Sequence, residues 1–393
     1  MQLLKLSLDH LNLFEGGTLS LDFYCEDRVP ADDQSAHAVR KPLYTNKLLA
    51  IAGINATGKS TLLNLIELTC RAMKGESVNG GGLPSSMPSL FHGTSTLRCA
   101  FVHEDKFFYL KTELVPQKTE VRGNALRIGE ELIGSMPLSK LAKGAMRDWD
   151  EIESRVSLLA SRDRLPESWY LLLSDDRSIC APVLAQECGR RGDVLVLRDG
   201  ELPDFENGGE KIDRVLRVFD PKIEHLEVKD GGRSFVLHFE GNRDPMYLSL
   251  DGLKEVLSSG TLKGLALIQR ALVVLERGGY FLVDEVENHL NSQLVNVVLD
   301  LFASDSTNPR GAVMVFTTHY SQLLDHVRRK DNVYFLARAT SGLAEAVKYS
   351  DRVKRIENKK SEVFNSNFVR GTAPRYFDVK RLKELVAEAV LHE

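Results

Sequence analysis

Apolar residues recur at two spacings along this chain, and the change of spacing marks out its elements. Leu4, Leu6 and Leu8 alternate with polar neighbours, a period of two that predicts a strand. Gly16-Gly17 then turns the chain into a second strand over 19–23, while the polar, proline-containing stretch 26–44 predicts a surface loop. Residues 47–52 form a short apolar run of the kind a buried strand uses. Directly afterwards Leu62, Leu63, Leu65, Ile66 and Leu68 keep helical spacing. The segment 74–95 is rich in Gly, Ser and Pro and reads as a flexible connector. Residues 96–102 and 107–110 read as strands on either side of the polar turn His103-Glu104-Asp105-Lys106.

From about 138 to 215 the pattern changes. Leu141, Ala145, Trp149, Ile152, Val156 and Leu159 fall three or four apart and predict one apolar stripe on a helix, packed on its own domain or docking a partner. The stripe spans under three heptads, too short for a long coiled coil. Residues 212–218 read as a helix ended by Asp220-Pro221, and strands return at 223–228 and 234–239. A long apolar helix over 255–276, a buried strand at 280–283, a helix over 295–302 and a strand at 312–316 follow. Near the end, Asp378 is placed to cap a helix with Leu382, Leu385, Val386 and Ala389 on one face. This alternation predicts an α/β protein with four segments. They are a first lobe over 1–137, a mainly helical insertion over 138–215, a second lobe over 216–350 and an extension over 351–393.

Composition narrows the class. At 393 residues, 43% hydrophobic and 27% charged, the chain has ample material for a core. No apolar run approaches the ~18 residues a membrane-spanning helix needs, and residues 1–6 alternate as a strand without a signal-cleavage pattern. Cys25, Cys70, Cys99, Cys180 and Cys188 are widely spaced with no C-x-x-C pair, which speaks against a zinc ribbon or a disulfide framework and for a reducing, cytoplasmic setting. A net charge of −4 argues against unselective coating of nucleic acid. The basic runs Arg190-Arg191, Arg328-Arg329-Lys330 and 352–360 read mainly as solvated faces.

The candidate chemistry centres on Gly53 to Thr61, G-I-N-A-T-G-K-S-T, which fits the phosphate-loop pattern between a strand and a helix. Glycine lets successive N–H groups converge on phosphate oxygens, and the helix start adds its positive end. Gly53, Asn55, Ala56, Thr57, Gly58, Lys59, Ser60 and Thr61 are therefore the expected nucleotide-binding set. Lys59 is expected on the β- and γ-phosphates, and Ser60 on Mg²⁺. The strand 280–283 delivers Asp284-Glu285: Asp284 is the second expected Mg²⁺ ligand and Glu285 the expected general base. Leu257-Ser258-Ser259-Gly260-Thr261 reads as a capped helix start or as a loop gripping a γ-phosphate, and His319 ends the next strand as a candidate phosphate sensor.

Taken in order, these motifs resemble the ABC-type head ATPases, and the chain is most similar to the branch holding the overcoming-lysogenization-defect (OLD) ATPases, RecF and the SMC heads. The run Glu285-Val286-Glu287-Asn288-His289-Leu290 is similar to the branch's D-E-x-E-N-x-L-H, and Leu-Ser-Ser-Gly-Thr at 257–261 stands where transporters carry L-S-G-G-Q. The opening strands and the step Phe219-Asp220-Pro221-Lys222-Ile223 are similar too. The resemblance spans roughly 1–135 and 215–350. It implies a P-loop NTPase of ABC/SMC-head type, a two-lobed mixed sheet with helices. Asn291 departs from the pattern, which often has His there, and Gln117 is only a weak candidate for the glutamine loop. About 70 residues follow His319 without an Asp-x-Asp pair, so the resemblance implies the ATPase half without a Toprim nuclease.

The same resemblance implies a homodimer or higher homo-oligomer through the heads. One subunit would supply Lys59, Ser60, Asp284, Glu285 and His319 with Mg²⁺-ATP. The other would supply Ser258, Ser259 and Gly260, with Asn288 near the interface. It further implies a regulatory or scaffold subunit of a bacterial anti-phage system that controls a separate nuclease or toxin, held by the 138–215 segment and the C-terminal helix. A RecF-like repair or recombination ATPase that binds DNA directly is the alternative. No aromatic platform for adenine stands out beyond Phe14, and no membrane association is expected.

Overall fold

A computed structural model of the chain describes residues 1–119, 123–166, 169, 173–200, 202–205, 209–242, 244–288, 290–354, 358–373 and 376–391. His289 and residues 355–357 of the basic run 352–360 lie outside these. The architecture is mixed α/β. One six-stranded sheet runs Val196–Arg198, Tyr280–Val283, Val313–Thr318, Leu48–Gly53, Val333–Arg338, Ala344–Lys348. Its neighbours pair in parallel except the last, Ala344–Lys348, which is antiparallel. The strand before the phosphate loop thus sits centrally, beside the strand ending at His319 and two places from the strand ending at Asp284.

Parallel strands buried on both faces need near-continuous apolar runs, and Leu48–Gly53, Tyr280–Val283 and the first four residues of Val313–Thr318 supply them. Leu49, Ile51, Leu282 and Val315 face one core with the helix Lys59–Lys74. Leu48, Ala50, Ala52, Phe281, Val283, Met314 and Phe316 face the other, with the helices Ser259–Arg277 and Ser292–Ala303. Helix Lys59–Lys74 is closed in on both sides: its other flank meets a six-stranded antiparallel sheet, ordered Leu19–Asp22, Gln2–Leu8, Ser95–His103, Lys106–Thr119, Gly123–Pro137, Ser157–Ser161. Its Leu62, Leu63, Leu65, Ile66 and Leu68 are fully buried, each such side chain contributing about 1.5–3 kcal/mol. A rigid helix start is the mechanical requirement for holding phosphates, and this packing supplies it. A third, three-stranded sheet, Ile223–Lys229, Ser234–Phe239 and Met246–Ser249, packs with Leu262 and Leu265 near the start of helix Ser259–Arg277.

Several expectations need correction. The stripe from Leu141 to Leu159 is not one helix: it divides into a turn at Lys143–Arg147, a short helix Trp149–Arg155 capped by Asp148, and the strand Ser157–Ser161. The segment 138–215 carries mainly helices and helical turns, among them Trp149–Arg155 and Cys180–Cys188, but it also lends strands to both large sheets: Ser157–Ser161 completes the antiparallel one and Val196–Arg198 edges the parallel one. The two lobes do share a mixed sheet, because the phosphate-loop strand of the first joins the strands of the second, but the other long strands of the first lobe form the separate antiparallel sheet. The polar stretch 26–44 contains the strand Ala36–Arg40, which pairs with Leu43–Asn46. The helix over 255–276 is two, Leu250–Val256 and Ser259–Arg277, broken at Leu257-Ser258. Asp378 lies inside the first turn of helix Tyr376–Leu391 rather than at its cap. None of the five cysteines forms a disulfide; burial pushes the thiols of Cys25 and Cys70 up to about 12, leaving both inert. Among the described residues no helix is long and apolar enough to cross a membrane.

Candidate functional site

The strand Leu48–Gly53 runs straight into the phosphate loop, and close packing dictates glycine at its end. A Cβ on Gly53 would stand 2.6 Å from Thr57 Oγ1 and 2.8 Å from the Leu336 carbonyl. Thr57 then closes the loop by donating to the Ile54 carbonyl at 2.8 Å. Ala56 has φ +58° and Gly58 φ +91°, so the backbone curls left-handed twice before helix Lys59–Lys74 begins. Asn55 and Ala56 are exposed at the rim, and Thr61 lies in the first helical turn. Arg338, at the end of the neighbouring strand, donates to the Ala56 carbonyl at 2.5 Å.

Three strand ends converge here. Lys59 Nζ lies 3.2 Å from the Gly53 carbonyl, 3.3 Å from that of Ile54 and 3.3 Å from His319 Nδ1. An ammonium only donates, so Nδ1 accepts and the imidazole proton sits on Nε2. That nitrogen faces Glu285 Oε1 at 2.8 Å. Ser60 Oγ donates to Asp284 Oδ2, and Thr317 Oγ1 donates to Asp284 Oδ1 at 2.6 Å while accepting the Glu285 N–H at 2.7 Å. Asn288 Nδ2 donates to Glu285 Oε2 at 2.6 Å. Glu285 itself has φ +47°, the kind of strained backbone that persists where surrounding structure enforces it.

Charge follows from this arrangement. The hydrogen bond from His319 holds the Glu285 carboxyl below the usual range of 4.5 against the opposing effect of partial burial, with Asn288 and Lys59 helping. Partial burial lowers the Lys59 pKa from 10.5, and the carboxylates of Glu285, Asp284 and Glu287 pull the other way. Around one lysine stand three carboxyl groups, an electronegative rim suited to a hard cation. No group of three His, Cys, Asp or Glu side chains able to cage a metal occurs among the described residues. Mg²⁺ needs none, since it is bound through one or two protein oxygens with phosphates and water completing its shell. The adjacent oxygens of Ser60 and Asp284 fit that requirement.

The other expected residues lie elsewhere. Ser258 caps helix Ser259–Arg277, accepting the Thr261 N–H at 3.1 Å and sharing a 2.9 Å hydroxyl contact with Thr261. Ser258 and Ser259 are exposed. Among the described residues no hydrogen bond links Ser258, Ser259 or Gly260 to Lys59, Ser60, Asp284 or Glu285. Gln117 is paired with Ala125 inside the antiparallel sheet, away from the strand ends. Phe14 is 1% exposed and bridges to Ala344, so its ring is not free to stack on adenine. Asn291 caps helix Ser292–Ala303 through the Leu294 N–H at 3.0 Å, a structural duty that accounts for its presence.

Three residues at the site carried no assigned role in the sequence. Thr317 is a hydroxyl at the end of an apolar strand, a signal visible in hindsight. Glu287 Oε1 accepts the His319 N–H at 2.6 Å, and its Oε2 is buried with no hydrogen-bond partner among the described residues. Arg338 offered no sequence signal, because only the sheet order brings it to the loop.

A model of the family described as "AAA domain, putative AbiEii toxin, Type IV TA system" matches residues 124–325, just over half of the chain. The chain belongs to this AAA-domain family. The matched region holds Ser258 to Thr261, Asp284, Glu285 and His319, while the phosphate loop lies ahead of it. Membership places the AAA-domain chain among the P-loop ATPases, whose general cofactors are ATP and Mg²⁺. No curated protein matches the chain.

Proposed function

We propose that this AAA-domain protein is an ABC-type ATPase that binds Mg²⁺-ATP on Gly53 to Thr61 and hydrolyses it in a dimer of heads. The observation that carries the reading is the strand-end cluster: Lys59, Ser60, Asp284, Glu285 and His319 meet in one hydrogen-bonded set at the carboxyl edge of a parallel sheet, where α/β proteins bind nucleotides. Ser60 and Asp284 would hold Mg²⁺, which supplies charge neutralisation at the β- and γ-phosphates. Lys59 binds the phosphates as a point charge. Glu285, kept ionised, takes the proton of an attacking water, and His319, protonated on Nε2, orients that carboxylate. Phosphoryl transfer asks for positioning and charge rather than covalent chemistry, and these residues supply both. The helix start Ser258–Gly260, with its two serines exposed, is assigned to the nucleotide of the partner head, so two such sites would form about a two-fold axis.

The wider role is regulatory: an ATPase subunit of a bacterial anti-phage system, of the OLD/RecF/SMC-like branch, that governs a separate nuclease or toxin. The family description, which names a putative toxin of a type IV toxin–antitoxin system, supports that reading. The RecF-like alternative draws on Lys330, whose ammonium reaches the Lys354 carbonyl at 3.2 Å and so joins two basic runs on one face. Yet Arg329 in that face is already paired with Asp331 and Asp33, which favours the regulatory reading. Light scattering of Glu285→Gln with ATP and Mg²⁺ tests the ATPase core: a trapped dimer is expected, and a monomer under saturating ATP overturns the composite site. Duplex DNA binding that strengthens with ATP and falls steeply with salt would move the role to the alternative.

A further inference from the structure

Among the described residues, helix Tyr376–Leu391 belongs to no hydrophobic core cluster. Every residue from 377 to 390 is exposed, including Leu382 at 61%, Leu385 at 63% and Val390 at 69%. A helix of this length is marginal in water by itself, and its order of residues is specific. Val379, Leu382, Val386 and Ala389 fall at spacings of three, four and three, the a, d, a and d positions of two heptads. The first heptad has valine at a and leucine at d, the combination that favours parallel, two-stranded coiled coils, and the second has valine at a and alanine at d. The flanks agree. Asp378 occupies a g position and Lys383 the e position five residues on, and Leu385 and Val390 repeat that relation with apolar side chains. In a parallel pair g meets e of the other helix. Asp378 then faces Lys383 of the second copy and Leu385 faces Val390, each twice by symmetry. An antiparallel pair matches e with e and g with g and forfeits both ion pairs. Lys380 and Glu384 point away from this seam and already pair with each other at 3.5 Å.

We infer that the C-terminal helix is a homotypic interaction surface, closing in parallel and in register on the same helix of a second copy of this chain. Two heptads bury too little to hold a dimer alone at low concentration. They act as a second contact, raising the effective concentration of two chains joined elsewhere. This surface goes beyond the head dimer proposed above, which is the contact it reinforces; disulfide formation also traps the transient helix pair where the heads stay apart. The helix lies outside every core cluster, so substitutions along it leave the fold intact.

Single cysteines in the full-length Cys188→Ser chain, mildly oxidised and run on a non-reducing gel, test the inference. Val379→Cys and Ala389→Cys are each expected to form covalent dimers about tenfold more than the outward control Glu384→Cys, with or without ATP. Adding Lys383→Asp is expected to lower that yield, and adding Asp378→Lys as well to restore it. Cross-linking only in a mixture of Val379→Cys with Ala389→Cys would mean an antiparallel pair and overturn the register. Yields no higher than the Glu384→Cys control would overturn the homotypic surface and give the helix to another occupant, such as a separate effector. The ATP-trapped dimer of Glu285→Gln is scored separately, so failure of the heads and failure of the helices are distinguishable.

Discussion

The strand-end cluster and the Ser258–Gly260 turn are both helix-associated polar sites, yet they differ in one respect. In the cluster, Lys59, Ser60, Asp284, Glu285, Asn288 and His319 satisfy one another across three strand ends. At the helix start, the described bonds of Ser258 are local: its hydroxyl meets Thr261 and its carbonyl accepts the Leu262 N–H, three and four residues on in its own helix. The first region is a hydrogen-bonded set assembled within one chain. The second is a capped helix start that, among the described residues, makes no hydrogen bond to that set. The contrast is what the proposed dimer would reconcile, with the cluster of one head facing the helix start of the other.

The sharpest way to break the comparison is Glu285→Gln. Loss of the base is expected to cut phosphate release by about 10²–10⁴-fold while calorimetry still detects ATP binding. Wild-type turnover would remove Glu285 from the mechanism. Next in size is Ser258→Asp. Aspartate caps helices as well as serine, so the melting temperature should hold, and so should ATP binding by the isolated head. A carboxylate aimed at the partner's phosphate should lower turnover by about 10²-fold. Full activity in that variant would make the turn a cap and nothing more. Lys59→Ala comes third: losing a charge-assisted contact is expected to weaken ATP binding by about 10–100-fold, measurable by equilibrium dialysis.

A pH titration sharpens the cluster further. The Glu285 carboxyl sits below 4.5 because His319 and Asn288 donate to its ionised form. Its folded pKa is depressed, so the ionised carboxylate and its stabilising contacts are fully present above about 4.5 and are lost as pH falls through the lower folded value. Carbon NMR of the carboxyl should show the titration midpoint moving up, toward 4.5, in His319→Gln and less far in Asn288→Ala. An unmoved midpoint in both variants would mean that the hydrogen bonds do not set the charge. The smallest effect belongs to Asn291→Ala, expected to cost about 1 kcal/mol in denaturant unfolding as a lost helix cap with turnover unchanged. A large fall in turnover would return Asn291 to the site.

Much of the site was legible beforehand because a phosphate loop is local. Gly53 to Thr61 act through backbone curvature and a helix start, both written in consecutive residues. Asp284 and His319 were legible for a related reason: Asp284 directly ends an apolar run and His319 follows one by two threonines, and such runs in an α/β chain become parallel strands whose ends gather at one edge. The stripe from Leu141 to Leu159 misled because three- and four-residue spacing does not distinguish a helix from turns and a strand that bury the same side chains piecewise. Ile152 is buried against Met146 and Tyr109 while Leu158 is 57% exposed, an outcome set by the edge of a sheet built from distant residues.

Taken alone, the sequence determined the elements that depend on near neighbours: the phosphate loop, the buried strands, the capped helix at Ser258 and the heptad order of the last helix. Only the tertiary structure decided which strand ends adjoin. It placed the Lys59 loop beside His319 and Asp284, brought Thr317, Glu287 and Arg338 to it, buried the Phe14 ring and set Gln117 inside the antiparallel sheet. The reason is physical. Curvature, capping and periodicity are energies of adjacent residues, whereas sheet order is settled by burial and hydrogen bonding summed over the whole chain.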